Sequence, residues 1–152
     1  SFYKGVDILI ESIPFLQSKN FKFQIYGRSE LDEKNLFELA SKNGASEKIS
    51  WKIKFLSNLE VHEAYENADI LVFPYRHIDQ SAVLMSALDY GKPIVASRIG
   101  GFKEILKHET NGLLFEKENL HSTKQDIYPW FPLYIPSTYL DLNLAPYYVA
   151  RP

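Results

Sequence analysis

The feature that most constrains this chain is a regular alternation of short, β-rich apolar runs with segments of helical period. Val6, Leu9, Ile10, Ile13 and Leu16 recur at three-and-four spacing, which predicts a helix that Pro14 kinks or shortens because proline has no amide hydrogen. Residues 21–27 form a β-rich run closing at Gly27, and Leu36, Leu39 and Ala40 mark a second helix ending near Asn43 and Gly44. A strand is expected over residues 51–56, followed by a helix that Ser57 and Glu60 open at capping-box spacing, and a strand over 70–73 stopped by Pro74. Val83, Leu84, Ala87 and Leu88 line one face of the next helix. Gly91 stands where its C-terminal cap belongs, and residues 93–97 read as a strand buried on both faces. A short helix over 102–107, a turn at Asn111-Gly112 and a strand over 113–115 complete the series. Strand and helix in this order predict an α/β fold, a doubly wound parallel sheet with helices on both faces.

The totals narrow the class. A chain of 152 residues fits one domain and is too short for two full nucleotide-binding domains. The composition, 45% apolar and 24% charged, is that of a globular protein, and no apolar run approaches the roughly 20 residues a membrane span requires. With a formal net charge of -2 and Lys and Arg scattered among Asp and Glu, the chain has no basic footprint for nucleic acid. The absence of cysteine removes disulfides and thiolate metal sites. No basic-plus-apolar signal peptide opens the sequence, so a cytoplasmic location is the expectation.

Open parallel sheets bind ligands beyond the carboxyl ends of their strands, which directs attention to the loops after Tyr26, Leu56, Phe73, Ser97 and Phe115. A dinucleotide fingerprint needs G-x-G-x-x-G after a strand, and here a lone Gly27 is followed by Arg28 and Ser29. A phosphate-accepting receiver needs acids at the end of its first strand to hold a metal, and residues 21–27 contain none. What is distinctive is a series: Tyr3-Lys4-Gly5-Val6-Asp7-Ile8-Leu9-Ile10, Ala68-Asp69-Ile70-Leu71-Val72-Phe73-Pro74-Tyr75, Gln80-Ser81-Ala82-Val83-Leu84, Tyr90-Gly91-Lys92-Pro93-Ile94-Val95-Ala96-Ser97, Gly100-Gly101-Phe102-Lys103-Glu104-Ile105, and Asn111-Gly112-Leu113-Leu114. In order and spacing it resembles the C-terminal, donor-binding domain of retaining GT-B glycosyltransferases of the group 1 family (family 4), in the branch with a Q-S-G donor loop. The resemblance implies the Rossmann-like half of a GT-B fold, a nucleotide-sugar donor, and transfer with retention that needs neither metal nor cofactor.

A donor of that kind carries a diphosphate, and a helix start offers free N–H groups and the positive end of its dipole. Ser81 is placed to cap the helix that follows Gln80, with the amides of Ala82 and Val83 facing phosphate; the plainer reading is that Gln80 and Ser81 only start a helix. Lys4 matches the family's K-G lysine, whose ammonium offsets charge on the leaving diphosphate; alternatively it is a solvated first-turn lysine. The arginine that usually precedes it would fall before Ser1, which suggests a fragment. The family's paired glutamates fall on Ile78 and Ser86, and Ala82 replaces the glycine of Q-S-G. A serine at 86 hydrogen-bonds a ribose more weakly than a carboxylate by about 1–2 kcal/mol. Gly100 and Gly101 fit a strand-to-helix loop pressed against ligand, and Glu104 matches the acid after that glycine pair or else stabilises the helix's first turn. Gly27 and Arg28 close a strand on the ligand edge, where Arg28 faces either phosphate or solvent. Arg76 and His77 precede the donor loop and rank below Ser81. His62, His108 and His121 lack metal-ligand spacing, and no catalytic residue is assigned.

Beyond Leu120 the sequence changes character. Pro129, Pro132, Pro136, Pro146 and Pro152 are interleaved with five tyrosines, without a glycine or a helical period. The expected organisation is a nucleotide-sugar-binding domain over 1–116, incomplete at both ends, and an unmatched Pro/Tyr-rich tail over 117–152, read as a foreign ending or an interaction tail. The resemblance places the acceptor on an N-terminal domain absent here, so this chain alone is expected to be inactive or nearly so. Peripheral membrane contact is open to a full-length enzyme of this type. The alternatives are a non-catalytic nucleotide-binding or interaction module, and a degenerate remnant.

Overall fold

The structure, a computed structural model, describes residues 2–16, 21–27, 32–79 and 82–116. Arg28, Gln80, Ser81, His121 and the 117–152 tail lie outside the described residues. The chain opens with a 3-10 turn, Phe2–Lys4, and helix α1, Val6–Ser12. Pro14 acts as expected: the helix gives way to a 3-10 turn, Ile13–Phe15, and the Ser12 hydroxyl donates to the Leu9 carbonyl at 2.7 Å. Strand β1, Phe23–Tyr26, is shorter than the apolar run around it. Helix α2, Glu33–Lys42, is capped by Asp32, whose carboxylate accepts the Lys34 N–H, and buries only Leu36 and Ala40.

Strand β2 spans Ile49–Lys52, earlier than the expected 51–56. The Lys54 N–H turns back to the Lys52 carbonyl, and Phe55 is 85% exposed, so its apolar character reflects no core position. Helix α3, Asn58–Glu66, starts with the full capping box: the Ser57 side chain accepts the Glu60 N–H and the Glu60 carboxylate accepts the Ser57 N–H. Glu60 also receives Lys54 at 2.6 Å and Lys52 at 3.0 Å. The hydrogen bond from Lys54, with those from the Ser57 amide and Lys52, holds its carboxyl down at about 2. A folded-state value below the unfolded one contributes stability above the usual carboxylate range, and that stability is lost as pH falls through about 2. Glu60→Gln should therefore melt below the parent at pH 7, with the gap closing in thermal melts as pH is lowered from 4.5 to 2. A gap that stays constant over that range would rule the ion pairs out as its source.

Strand β3, Leu71–Phe73, is followed by helix α4, Ala82–Leu88, strand β4, Ile94–Ser97, helix α5, Gly100–Ile105, and strand β5, Leu113–Phe115. Helix α5 starts two residues before the expected 102, because Ile99 already holds the extended N-cap conformation and accepts amides from Phe102 and Lys103.

All pairings are parallel, as expected, but the described strands form two sheets. One is β1–β2, with Phe23 opposite Ile49; the other has the order β3–β4–β5, with Leu71 opposite Ile94 and Val95 opposite Leu113. Side-chain alternation sorts the core into two layers. Ile70 and Val72, with Val95, Leu113 and Phe115, join Phe23, Ile25 and Ile49 beneath α1 and α2. Leu71 and Phe73, with Ile94, Ala96 and Leu114, join Tyr65, Leu84, Ala87 and Phe102 from α3, α4 and α5. Helices on both faces are the doubly wound arrangement, and they put every βα loop at the carboxyl ends of the strands.

Candidate functional site

Three segments meet at the carboxyl end of β3. The first is the opening turn with Lys4, the second is the loop over residues 74–79 that leads to α4, and the third is the start of α5. Gly5 joins the first two. It adopts φ 68, and a Cβ there would run into the Pro74 carbonyl oxygen, so only glycine lets the chain cross that loop and enter α1. Arg76 makes the same junction from the other side. Its amide donates to the Tyr3 carbonyl at 2.7 Å, and its guanidinium donates to the Phe2 carbonyl at 3.0 Å. The fork then grips both oxygens of Asp7, at 2.7 and 2.8 Å, and lies 4.0 Å from the Phe2 ring centroid. Tyr3 meets Tyr75 edge-on at 5.9 Å.

Arg76 stands in the loop after β3, where the sequence puts it, and its side chain is occupied there. Ranked beside His77 as a residue next to the donor loop, it is committed to Asp7 with side-chain exposures of 15% and 24% for the pair. Asp7 was not singled out in the sequence. The available signal was a first-turn acid on α1 without a helical basic partner, but the partner lies 69 positions away and no local pattern links them. His77 is exposed and stands 3.6 Å from Asp79.

Gly100 makes the third junction, with a correction. The glycine pair lies in the first turn of α5 and not in a loop before it, and a Cβ on Gly100 would collide with the Ile78 carbonyl oxygen. Small size here serves the approach of the 74–79 loop to the helix, and Gly101 is buried. Glu104 is exposed and sits in the last turn of this six-residue helix, so it does not stabilise a first turn.

Of the other expected site residues, Lys4 is partly buried in the opening turn. Ala82 is the exposed first residue of α4, and Val83 follows with its carbonyl accepting the Tyr65 hydroxyl at 3.0 Å, which fastens the helix start to α3. Ser86 is exposed one turn further along the same face. Gly27 follows β1 in the other sheet, with its amide on the Lys52 carbonyl at 3.2 Å. The carboxyl end of β4 is closed by Arg98, another residue missed in the sequence. Its amide donates to the Phe115 carbonyl at 2.6 Å and its side chain pairs with Glu116 at 2.9 Å.

The histidines on described residues have structural partners. His62 Nδ1 lies 3.0 Å from the Tyr90 hydroxyl, and His108 Nδ1 accepts the Leu114 amide at 3.0 Å. Among the described residues no helix is long and apolar enough to cross a membrane.

A family model described as glycosyl transferases group 1 matches residues 1–128. The chain is 30% identical over 120 residues to an uncharacterized glycosyltransferase of Methanocaldococcus jannaschii, covering 78% of this chain and 30% of that protein. It is 26% identical over 118 residues to the glycogen synthase of Thermus thermophilus, covering 76% of this chain and 26% of that protein. Among solved structures, Anabaena HepE in complex with UDP-glucose superposes with a TM-score of 0.74 at 20% identity, covering 86% of this chain and 36% of that one. At that identity the likeness shows the fold, the Rossmann-like half of GT-B enzymes. The chain thus spans between 26% and 36% of the length of these three proteins.

Proposed function

The chain belongs to the glycosyl transferases group 1 family, and from that premise we propose that it binds a nucleotide-diphosphate sugar at the carboxyl end of β3. The matched region corresponds to the C-terminal half of GT-B glycosyltransferases. The observation that supports the reading is the junction at Gly5 and Arg76, which fixes the Lys4 turn against the loop over residues 74–79, ahead of helix α4. A cation and a helix start are the two halves that a diphosphate site needs. In the proposed reaction the bond between the anomeric carbon and the donor diphosphate breaks, a bond to the acceptor oxygen forms with retention, and Lys4 offsets charge on the departing diphosphate. The acceptor comes from a separate N-terminal domain, so residues 1–152 alone bind donor with little or no transfer.

A second reading, a nucleotide-binding module without catalysis, is favoured by Ile78 and Ser86 at the positions where the family places its glutamates. The two readings separate on turnover once the N-terminal domain is supplied: sugar transfer supports the first, and binding without transfer supports the second.

Binding itself is tested by thermal shift against UDP, GDP and ADP, free and as their sugars. At a ligand concentration about 100 times Kd, the melt should rise by the equivalent of about 2.7 kcal/mol with one nucleotide only. Lys4→Ala should weaken that nucleotide roughly tenfold, the loss of one charge-assisted contact, and Ser81→Trp should abolish the shift by filling the phosphate position. A cooperative melt that no nucleotide moves would defeat the proposal.

A further inference from the structure

The dipeptide Asn-Gly occurs twice, at Asn43-Gly44 and at Asn111-Gly112, and the fold treats the two copies differently. The dipeptide has a chemistry of its own, because a glycine has no side chain to obstruct the approach of its amide nitrogen to the preceding carboxamide. How firmly the carboxamide and that amide are held decides whether the reaction proceeds.

Asn111 is held at both ends of its carboxamide. Its Oδ1 accepts the Lys107 amide at 2.6 Å, and its Nδ2 donates to the Ile105 carbonyl at 3.1 Å. Gly112 is buried, and its carbonyl accepts the Glu109 amide at 3.0 Å. Around it Leu106 and Leu113 are 1% and 6% exposed, and His108 accepts the Leu114 amide. Freeing this carboxamide therefore means opening the start of β5, a strand buried along its whole length.

Asn43 instead closes α2. Its Nδ2 donates to the Leu39 carbonyl at 2.9 Å, whereas its Oδ1 accepts no hydrogen bond among the described residues. Gly44 is exposed, with nothing within 4 Å of a Cβ position, so water and base reach the peptide freely. The Gly44 amide donates to the Ser41 carbonyl at 3.0 Å and the Ala45 amide to the Ala40 carbonyl at 2.8 Å, the paired bonds of a left-handed C-terminal cap. Release of the carboxamide and the Gly44 amide breaks bonds in the last turn only, where Ser41, Lys42 and Gly44 are exposed. Openings at the ends of elements are among the least costly a fold undergoes.

We propose that Asn43 is a site of spontaneous deamidation, and that the two hydrogen bonds on its carboxamide protect Asn111 from the same reaction. The Gly44 nitrogen, deprotonated by solvent base, attacks the Asn43 side-chain carbonyl carbon. The bond from that carbon to Nδ2 breaks, ammonia leaves with the proton returned from solvent, and a cyclic imide closes. Water then opens the imide at the side-chain carbonyl to give aspartate, or at the backbone carbonyl to give isoaspartate. Isoaspartate lengthens the main chain inside the cap and breaks its paired bonds. Aspartate removes the donor to the Leu39 carbonyl and places a negative charge at the negative end of the α2 dipole. Both products loosen the seat of Leu36, Ala40 and Ala45 in the core layer. The proposal concerns α2 alone and stands whether or not a nucleotide binds.

The test is incubation of residues 1–152 at mildly alkaline pH, with and without urea, followed by peptide mapping that separates asparagine, aspartate and isoaspartate at both positions. In urea the two sites should convert at similar rates, since each is the same dipeptide. Without urea Asn43 should convert at least about tenfold faster than Asn111, the ratio expected of an opening helix end against an opening core strand. Asn43→Asp, which carries one of the two products from the start, should melt about 2–4 °C below the parent. Equal rates at the two sites without urea, or a faster Asn111, would overturn the assignment. So would an Asn43 that stays intact while the chain in urea converts.

Discussion

Gly5→Ala should lower the melting temperature by about 6–12 °C, one of the two largest single-residue effects expected here. Two costs add. A non-glycine residue held in the left-handed region at φ 68 is strained by roughly 1–2 kcal/mol. The new methyl also meets the Pro74 carbonyl oxygen, backbone on both sides, so neither partner yields cheaply. Together they amount to about 3 kcal/mol, and each kcal/mol moves the melt of a domain this size by about 2–4 °C. Gly44 provides the control: its φ is 62 and nothing lies within 4 Å of a Cβ placed there, so Gly44→Ala carries the strain without the collision. Equal losses in the two variants would mean that Gly5 is not packed on the loop after β3. Because that contact holds the Lys4 turn against the loop over residues 74–79, Gly5→Ala should also weaken nucleotide binding at the proposed site, whereas Gly44→Ala should leave it unchanged.

Arg76→Ala should cost about 2–3 kcal/mol. Severing a fully buried ion pair by removing one partner costs roughly 3–5 kcal/mol, and the exposures of 15% and 24% at Arg76 and Asp7 reduce that through solvent screening. Arg76→Lys should recover little, since an ammonium cannot make the two parallel bonds at 2.7 and 2.8 Å nor lie flat on the Phe2 ring. Denaturant melts of Arg76→Ala, Asp7→Ala and the double variant would yield the coupling, expected at about 1–2 kcal/mol. Strict additivity would show that the fork does not hold in solution. Loss of the guanidinium also removes its hydrogen bond to the Phe2 carbonyl and its contact with the Phe2 ring, leaving the opening turn held by the residue-76 amide on Tyr3, so nucleotide affinity should fall in Arg76→Ala even though its guanidinium is not assigned to the donor.

Most of the element order was legible because it depends on local patterns. The spacing of Val83, Leu84, Ala87 and Leu88, the Ser57 and Glu60 pair, and the proline at 14 each act within a few residues, and α4, α3 and α1 carry them as read. Strand β2 was misplaced for the complementary reason. Phe55 and Leu56 have the composition of a strand, but apolar character does not reveal whether a tertiary partner exists, and Phe55 stands in solvent. The start of α5 was misplaced in a similar way, since the glycine pair reads as loop by composition, whereas Gly100 in the helix's first turn lets the Ile78 carbonyl approach closely.

The sequence by itself determined the class of fold, the family and the order of the donor-side motifs, because periodicity, caps and motif spacing are short-range properties of the chain. Tertiary structure alone decided which motifs become neighbours. The pairing of Asp7 with Arg76, the seat of Gly5 on Pro74 and the pairing of β3 with β4 join residues tens of positions apart, and those contacts exist only once the elements have packed.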